Sequence, residues 1–396
     1  MKERGLAKTI VSQRVVTVEA GELSTVIGRL TSHGKVLLVV GQTDYLRVGE
    51  QLTDEIDACP QSFYRFVVGE NRAFRDYAPM FSFPEDVRAV LAVGANAIAA
   101  AKYFCTLRNV PYAFLPLSPD GEDVFCPSVA VTEEQVLSAR LPEFVVVTPL
   151  LYECPRSQIA AAYGRVMSKM IALTDYRVRC LCTACPMNKD GYDYARAALI
   201  DAMGLTADTP KTQQIQVLLS ASLRFSVLTA EYGDDAPCYG AEKGGAMLLK
   251  GGEYGDRAFA CAIKMVEIYR LSLNYLGVAA PVPDYDLRLS RAASLAGVSE
   301  RWLLSKTQIP RFSDHAKREK LLQNFRVEFQ EEFAKMQELL PSIQRIYRTY
   351  GGNYLAKVKK EDFLKAINYS PELSTRYNLA TFIRDAGLLE NLGEKQ

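Results

Sequence analysis

Histidine and tryptophan are nearly missing from this 396-residue chain, which has two of the first and one of the second. His33 lies in the turn SHGK and His315 at a polar helix start, SDHAKREK, so both read as solvated surface residues rather than ligands. A surplus of charge is missing as well. With 47 basic and 46 acidic side chains, composition gives no electrostatic case for a nucleic acid or a membrane surface as partner. No stretch approaches the roughly 20 apolar residues that span a bilayer, and the opening MKERGLAKTIVSQRVV lacks the apolar core of a signal peptide. A soluble, cytoplasmic protein is the expectation. Internal repeats and low-complexity tracts are also absent. The nine cysteines are an odd number spread over a long chain, which points to free thiols in a reducing compartment and against a disulfide framework.

What is present is α/β syntax followed by helix. Short apolar runs ending in turn signals occupy the first third: VLLVVG at Val36 to Gly41, FVVG at Phe66 to Gly69 and AVLAVG at Ala89 to Gly94. Such runs suit buried parallel strands, whose carboxyl ends are where open sheets bind ligands. YAFLPL from Tyr112 and FVVVT from Phe144 add two more. After about Pro155 the apolar spacing becomes helical, over Gln158 to Tyr176, Tyr192 to Met203, Gln213 to Tyr232, Gly255 to Leu276, His315 to Tyr347 and Lys360 to Ala366. Pro281, Pro283, Pro310 and Pro341 mark breaks. The pattern predicts an N-terminal Rossmann-like α/β domain over 1–150 and an all-α helical domain over 151–396.

Four segments in order carry a family resemblance. AVLAVGANAIAAAKYF from Ala89 is similar to a strand and glycine-rich turn reading V-G-x-G-T-I-x-D-x-x-K-Y, and VPYAFLPLSPDGEDVFCPSVAV from Val110 to the strand and loop that follow it. PRSQIAAAYGRVMSKMIALTDYRV is similar to a helix reading P-x-x-M-x-x-A-G-x-G-D-x-x-x-K-x-x-A-x-x-D-W, and ELSTRYNLATFIRDAGLLENL from Glu372 to R-x-R-Y-T-x-L-x-x-x-x-x-x-G-x-L. Together they resemble the glycerol-1-phosphate dehydrogenase branch of the iron-containing alcohol dehydrogenase and dehydroquinate synthase superfamily. That resemblance implies a two-domain fold with a cleft, an NAD or NADP cofactor and a homo-oligomer.

In that family one Asp and two His hold a divalent ion that polarises the substrate alcohol for hydride loss. Matching the helix pattern places Arg165 at the Asp. Matching YGAEKGG to S-G-S-E-H places Lys243 at the first His, and matching YGDRAFACAI to H-G-x-x-V-x-x-G places Tyr254 at the second. Arg and Lys are protonated donors and do not ligate a divalent ion, so no metal is expected at the inherited site. Two readings compete. Arg165, Lys243 and Tyr254 are filling after loss of function, or two fixed cations stand in for a dication and hold a phosphate or carboxylate.

On the cofactor side Gly94 keeps the turn, but Ala95, Asn96 and Ala97 follow it and Ala100 stands near the expected Asp. GQTDY places Gly41, Thr43 and Asp44 where a ribose or base would lie, although a capped helix start accounts for the same residues. Ser118 and Asp123 remain as polar groups of the next loop, with turn formation by SPDGED as their simpler reading. Cys180, Cys182 and Cys185 form C-x-C-x-x-C without a second half, so buried thiols are the better reading than a metal site. The basic clusters VKKEDFLK and HAKREK read as solvated helix faces. Tyr232, Tyr239, Tyr254 and Tyr269 read first as packing and second as stacking groups.

Three functional classes follow. One is an NAD(P)-dependent oxidoreductase acting on a small polyol phosphate or alcohol without a metal, with Lys243 or Tyr254 as acid or base. Another is a non-catalytic relative that binds a small anionic metabolite or nucleotide. The third is a lyase or cyclase on a phosphorylated sugar, since chemistry changes on a conserved frame.

Overall fold

The computed structural model describes residues 14–19, 21–69, 74–131, 135–278, 283–306 and 315–389. Pro281 and Pro310 fall outside them, as do the first thirteen residues and the last seven. Two compact units are present, Met1–Ile159 with Pro210–Gly233, and Ala160–Thr209 with Asp234–Gln396.

The first unit is built on a six-stranded sheet in which every neighbour pair is parallel. Its strands are β1 (Val15–Thr17), β2 (Lys35–Gly41), β3 (Phe63–Val68), β4 (Val87–Val93), β5 (Tyr112–Leu115) and β8 (Phe144–Val147), in the order β1-β8-β5-β4-β2-β3. A separate antiparallel pair joins β6 (Ser128–Ala130) to β7 (Val136–Ser138). The apolar runs become strands because both faces are covered. Val36 to Val40 are each at most 1% exposed, and α1 (Leu23–Leu30) contributes Leu23, Val26 and Ile27 to the same core. β1 lies in the charged N-terminal stretch and has three residues, too few to show a period; its pairing with β8 makes it a strand.

The connections fix the place where this sheet can bind. From β2 the chain runs through α2 (Gln42–Asp57) to β3 at one edge, and from β4 through α3 (Ala97–Arg108) to β5 on the other side. The crevice of a doubly wound sheet lies where adjacent strands send their connections in opposite directions. Here that is the carboxyl ends of β2 and β4, at Gly41 and Gly94.

The second unit is helical. α4 (Arg156–Thr183) enters it at Ala160, and α5 (Lys189–Met203) follows. The helix after α5, α6 (Lys211–Tyr232), belongs to the sheet unit, where its Ser226 Oγ accepts the Phe125 N–H at 2.6 Å. The chain then returns through α7 (Ala241–Leu248), α8 (Tyr254–Ser272), α9 (Tyr285–Ala296), α10 (Glu300–Lys306), α11 (His315–Asn324), α12 (Arg326–Thr349), α13 (Lys360–Tyr369) and α14 (Leu379–Asp385). Its core gathers Ile171, Val178, Phe259, Met265, Tyr269 and Phe333, all buried.

Three expectations need correction. Pro341 does not break a helix but sits inside α12. Buried Phe329 and Phe333 on one side of it, and Ile343, Ile346 and Tyr347 on the other, hold both halves against the core, which offsets the loss of one backbone hydrogen bond. The stretch His315 to Tyr347 is two helices, divided at Phe325. His315 is not simply solvated: its ring stacks on Phe382 with centroids 5.1 Å apart. Among the described residues no helix is long and apolar enough to cross a membrane.

Candidate functional site

At the sheet crevice the sequence brings two helix starts together, α2 after Gly41 and α3 after Asn96. Helix N-termini carry partial positive charge and favour an anion. Gly94 turns the chain with φ +78°, a region that favours glycine. A Cβ at Gly94 would fall inside the Asp44 carboxylate, and one at Gly41 would lie 2.8 Å from the Asn96 Cβ. Gly41, Asp44, Gly94 and Asn96 are therefore one cluster. Asp44, 7% exposed, pairs with Arg47 at 3.0 Å, and Arg47 also donates to the Leu117 carbonyl at 3.3 Å. The anion already seated over the glycine turn is a side chain of the protein itself.

Thr43 is exposed in the first turn of α2, and Asp123 is exposed in the 118–126 loop, where Ser118 is half-buried. That loop is held from below. Buried Lys102 on α3 donates to the carbonyls of Asp123 and Cys126, each at 2.6 Å, and burial pulls its ammonium below the usual lysine range.

In the helical unit α4 is the spine. Arg165, 7% exposed, holds its guanidinium 4.8 Å from the centroid of the Tyr254 ring at the start of α8, within cation–π range. The two helices touch closely: a Cβ at Gly255 would fall on the Ala161 carbonyl, and one at Gly164 would lie 3.0 Å from the Gly255 carbonyl oxygen. One turn along α4, Lys169 meets Glu242 of α7 at 3.6 Å, at 2% and 0% side-chain exposure. Lys243, the next residue, points its ammonium at the Tyr239 ring, 3.8 Å from the centroid.

Asp175 stands further along α4. Its carboxylate accepts the Ala241 N–H at 2.8 Å and the Leu379 N–H at 3.0 Å, with the Tyr269 hydroxyl at 3.4 Å. Burial pushes its pKa up to about 7; the backbone donors work against the rise, and the neighbouring Glu242 charge adds to it.

No family model matches the chain. Over 181 residues it is 25% identical to glycerol-1-phosphate dehydrogenase (NAD(P)+) of Geobacillus thermodenitrificans, a match that covers 42% of this chain and 44% of that protein. The chain thus spans less than half the length of this curated relative. Among solved structures, sulfoacetaldehyde reductase from Bifidobacterium kashiwanohense in complex with NAD+ matches with a TM-score of 0.57 at 12% identity, covering 97% of each chain. Iron-containing alcohol dehydrogenase from Corynebacterium glutamicum matches with a TM-score of 0.55 at 14% identity, covering 94% of each. The fold is that of the iron-containing alcohol dehydrogenases.

On this iron-containing alcohol dehydrogenase fold the structure joins Arg165 to Tyr254 and sends Lys243 to Tyr239. Sequence reading did not single out Lys169, Asp175 and Glu242. The signal was in the segments already compared, since Lys169 and Asp175 stand at the K and D of the helix pattern and Glu242 at the E of S-G-S-E-H. Among the described residues no three His, Cys, Asp or Glu side chains group as metal ligands. Cys180 and Cys182 end α4, and Cys185 lies exposed beyond it.

Proposed function

We propose that this chain binds a small anionic metabolite or nucleotide on a dehydrogenase frame whose metal site has been lost. The carrying observation is the packing of Arg165 over Tyr254 at two positions that the resemblance assigns to metal ligands. A guanidinium has five donors and no lone pair to offer, so the side chains at these positions do not fit a divalent ion. They suit an anion, which Arg165 and Lys243 would hold by charge-assisted hydrogen bonds.

The nicotinamide nucleotide is the relatives' cofactor and has its own test of fit. Two helix N-termini suit a pyrophosphate at Gly94, but Asp44 fills that place. A nucleotide therefore requires Asp44 and Arg47 to turn away.

Calorimetry of metal-analysed protein with NADH, NADPH and dihydroxyacetone phosphate tests the reading. Expected are saturable binding without oxidation of the reduced nucleotide, and an affinity about tenfold weaker for Arg165→Met. A stoichiometric divalent ion that supports turnover would overturn it, as would unchanged binding in Arg165→Met.

A second reading, a metal-free NAD(P)-dependent reductase of a small polyol phosphate, is supported by the sequence match to a glycerol-1-phosphate dehydrogenase. Lys243 or Tyr254 would then supply the proton. Oxidation of NADPH by the metal-free protein with dihydroxyacetone phosphate decides in its favour.

A further inference from the structure

A concavity of about 520 Å³ in the helical unit lies on residues that neither reading uses. Its volume is in the range of small-molecule sites. The floor is apolar, made by buried Leu249, Tyr354 and Ala366 with the more exposed Leu295 and Val358. Four lysines line it, Lys250 from the end of α7 and Lys357, Lys359 and Lys365 from the region of α13, with Asp362 as the acidic lining residue. VKKEDFLK thus contributes two of its lysines, Lys359 and Lys365, to a hollow rather than to a plain solvated face, and Lys357 just before it adds a third.

The two lysine-bearing segments are fixed to each other. The Tyr354 hydroxyl donates to the Lys250 carbonyl at 2.9 Å, while the Tyr354 carbonyl accepts the N–H groups of Lys357 and Val358 at 2.9 and 3.1 Å. Gly251 and Gly252 follow Lys250 with φ of +72° and +62°. A Cβ at Gly252 would lie 2.6 Å from the Tyr354 ring, so glycine is what lets this turn close on the tyrosine. One buried ring sets the spacing of the cations on both sides.

None of the four ammonium groups is in an ion pair among the described residues. Four lysines against one aspartate leave a local surplus of positive charge, in a chain whose overall charge is only +1. Like charges gathered around a hollow repel one another and raise the local concentration of anions. The apolar floor adds a demand that a bare ion does not meet.

We infer that this hollow is a binding site for a small anionic amphiphile, a phosphate monoester carrying a short apolar chain. The phosphate meets Lys250, Lys357, Lys359 and Lys365, and the chain lies on Leu249, Leu295 and Tyr354. The site is independent of the reading given for Arg165 and Lys243.

Titration calorimetry with octyl phosphate, inorganic phosphate and octanol tests it on the full chain. Saturable one-to-one binding of octyl phosphate is expected, weakened by salt, with phosphate binding more weakly and octanol not at all. Lys357→Ser/Lys365→Ser changes exposed side chains and lowers the affinity roughly tenfold or more. Leu295→Ser weakens octyl phosphate and leaves inorganic phosphate unchanged. Arg165→Met leaves octyl phosphate binding intact, which separates this site from the one proposed above. Absence of saturable binding, equal affinity in the double lysine variant, or loss in Arg165→Met alone would overturn the inference. Capture by phosphatidic acid vesicles without binding of monomeric octyl phosphate would overturn it too, in favour of a membrane surface.

Discussion

The sheet crevice and the α4 cluster hold their charged side chains in different ways. At the crevice Gly94 turns the chain at φ +78° between two helix starts, and the Asp44 carboxylate lies over it. On α4 the helices pack closely at Gly164 and Gly255, and Arg165 beside them is a donor with no lone pair. Asp44 is 7% exposed, but its partner Arg47 is half-buried, which gives this pair a way to turn toward solvent. Lys169, Glu242 and Asp175 are each at most 2% exposed and cannot be rearranged without repacking. The crevice is therefore the adjustable region and the α4 cluster the fixed one.

The sharpest way to break this comparison is to remove one member of the buried pair. Glu242→Leu leaves the Lys169 ammonium without its carboxylate at 2% exposure, and loss of about 3–5 kcal/mol in chemical denaturation is expected. Lys169→Met combined with Glu242→Leu should return most of that loss, because a well-packed apolar pair replaces two desolvated charges. If the single variant is as stable as the parent, the pair is not the fixed element described here.

Asp175 adds a pH dependence to the fixed region. Its pKa is raised from the ordinary 3.8 to about 7, so between those values the folded chain holds a proton that the unfolded chain has lost. Stability from this group is full below about pH 4 and is lost as pH rises through 7, with a slope of at most about 1.4 kcal/mol per pH unit. Asp175→Asn, which cannot accept both backbone N–H groups, should lower stability at pH 5 and flatten the slope. Denaturation midpoints at pH 5, 6, 7 and 8 distinguish the two; an unchanged slope in the variant assigns the dependence elsewhere.

At the adjustable crevice the expected effects are smaller. Gly94→Ala combines a left-handed backbone with a clash against Asp44, for a loss of about 1–3 kcal/mol. Asp44→Gly frees the space over Gly94 and removes a negative charge, so affinity for NADH should rise. The same substitution leaving nucleotide binding absent would show that Asp44 is not what closes the crevice.

Much of the frame was legible because it rests on local pattern. Five of the six sheet strands announce themselves as apolar runs ending in turns, and α5, α6, α8 and α13 follow helical spacing. β1 and the continuity of α12 through Pro341 were not legible, since tertiary pairing and packing on both flanks decide them. At the candidate site the positions of Arg165 and Tyr254 came from the family pattern, but their contact is a property of two helices 89 residues apart in the sequence. Lys169 and Glu242 were visible letters whose pairing needs α4 and α7 side by side. The lysines of VKKEDFLK looked like a solvated face because periodicity says nothing of Lys250, which Tyr354 brings to them.

Lys243 is the most delicate test of how fixed the helical region is. Its ammonium lies 3.8 Å from the Tyr239 centroid but the residue is only half-buried, so the contact contributes about 0.5–1 kcal/mol. Lys243→Gln should lower stability by no more than that, leaving a folded protein in which a positive charge alone has gone. If Lys243 serves an anion, calorimetric affinity for dihydroxyacetone phosphate falls severalfold in this variant while Arg165→Met causes the larger drop. Equal affinity with the small stability loss would make Lys243 a packing partner of Tyr239, and would leave Arg165 as the cation on which the proposed anion site depends.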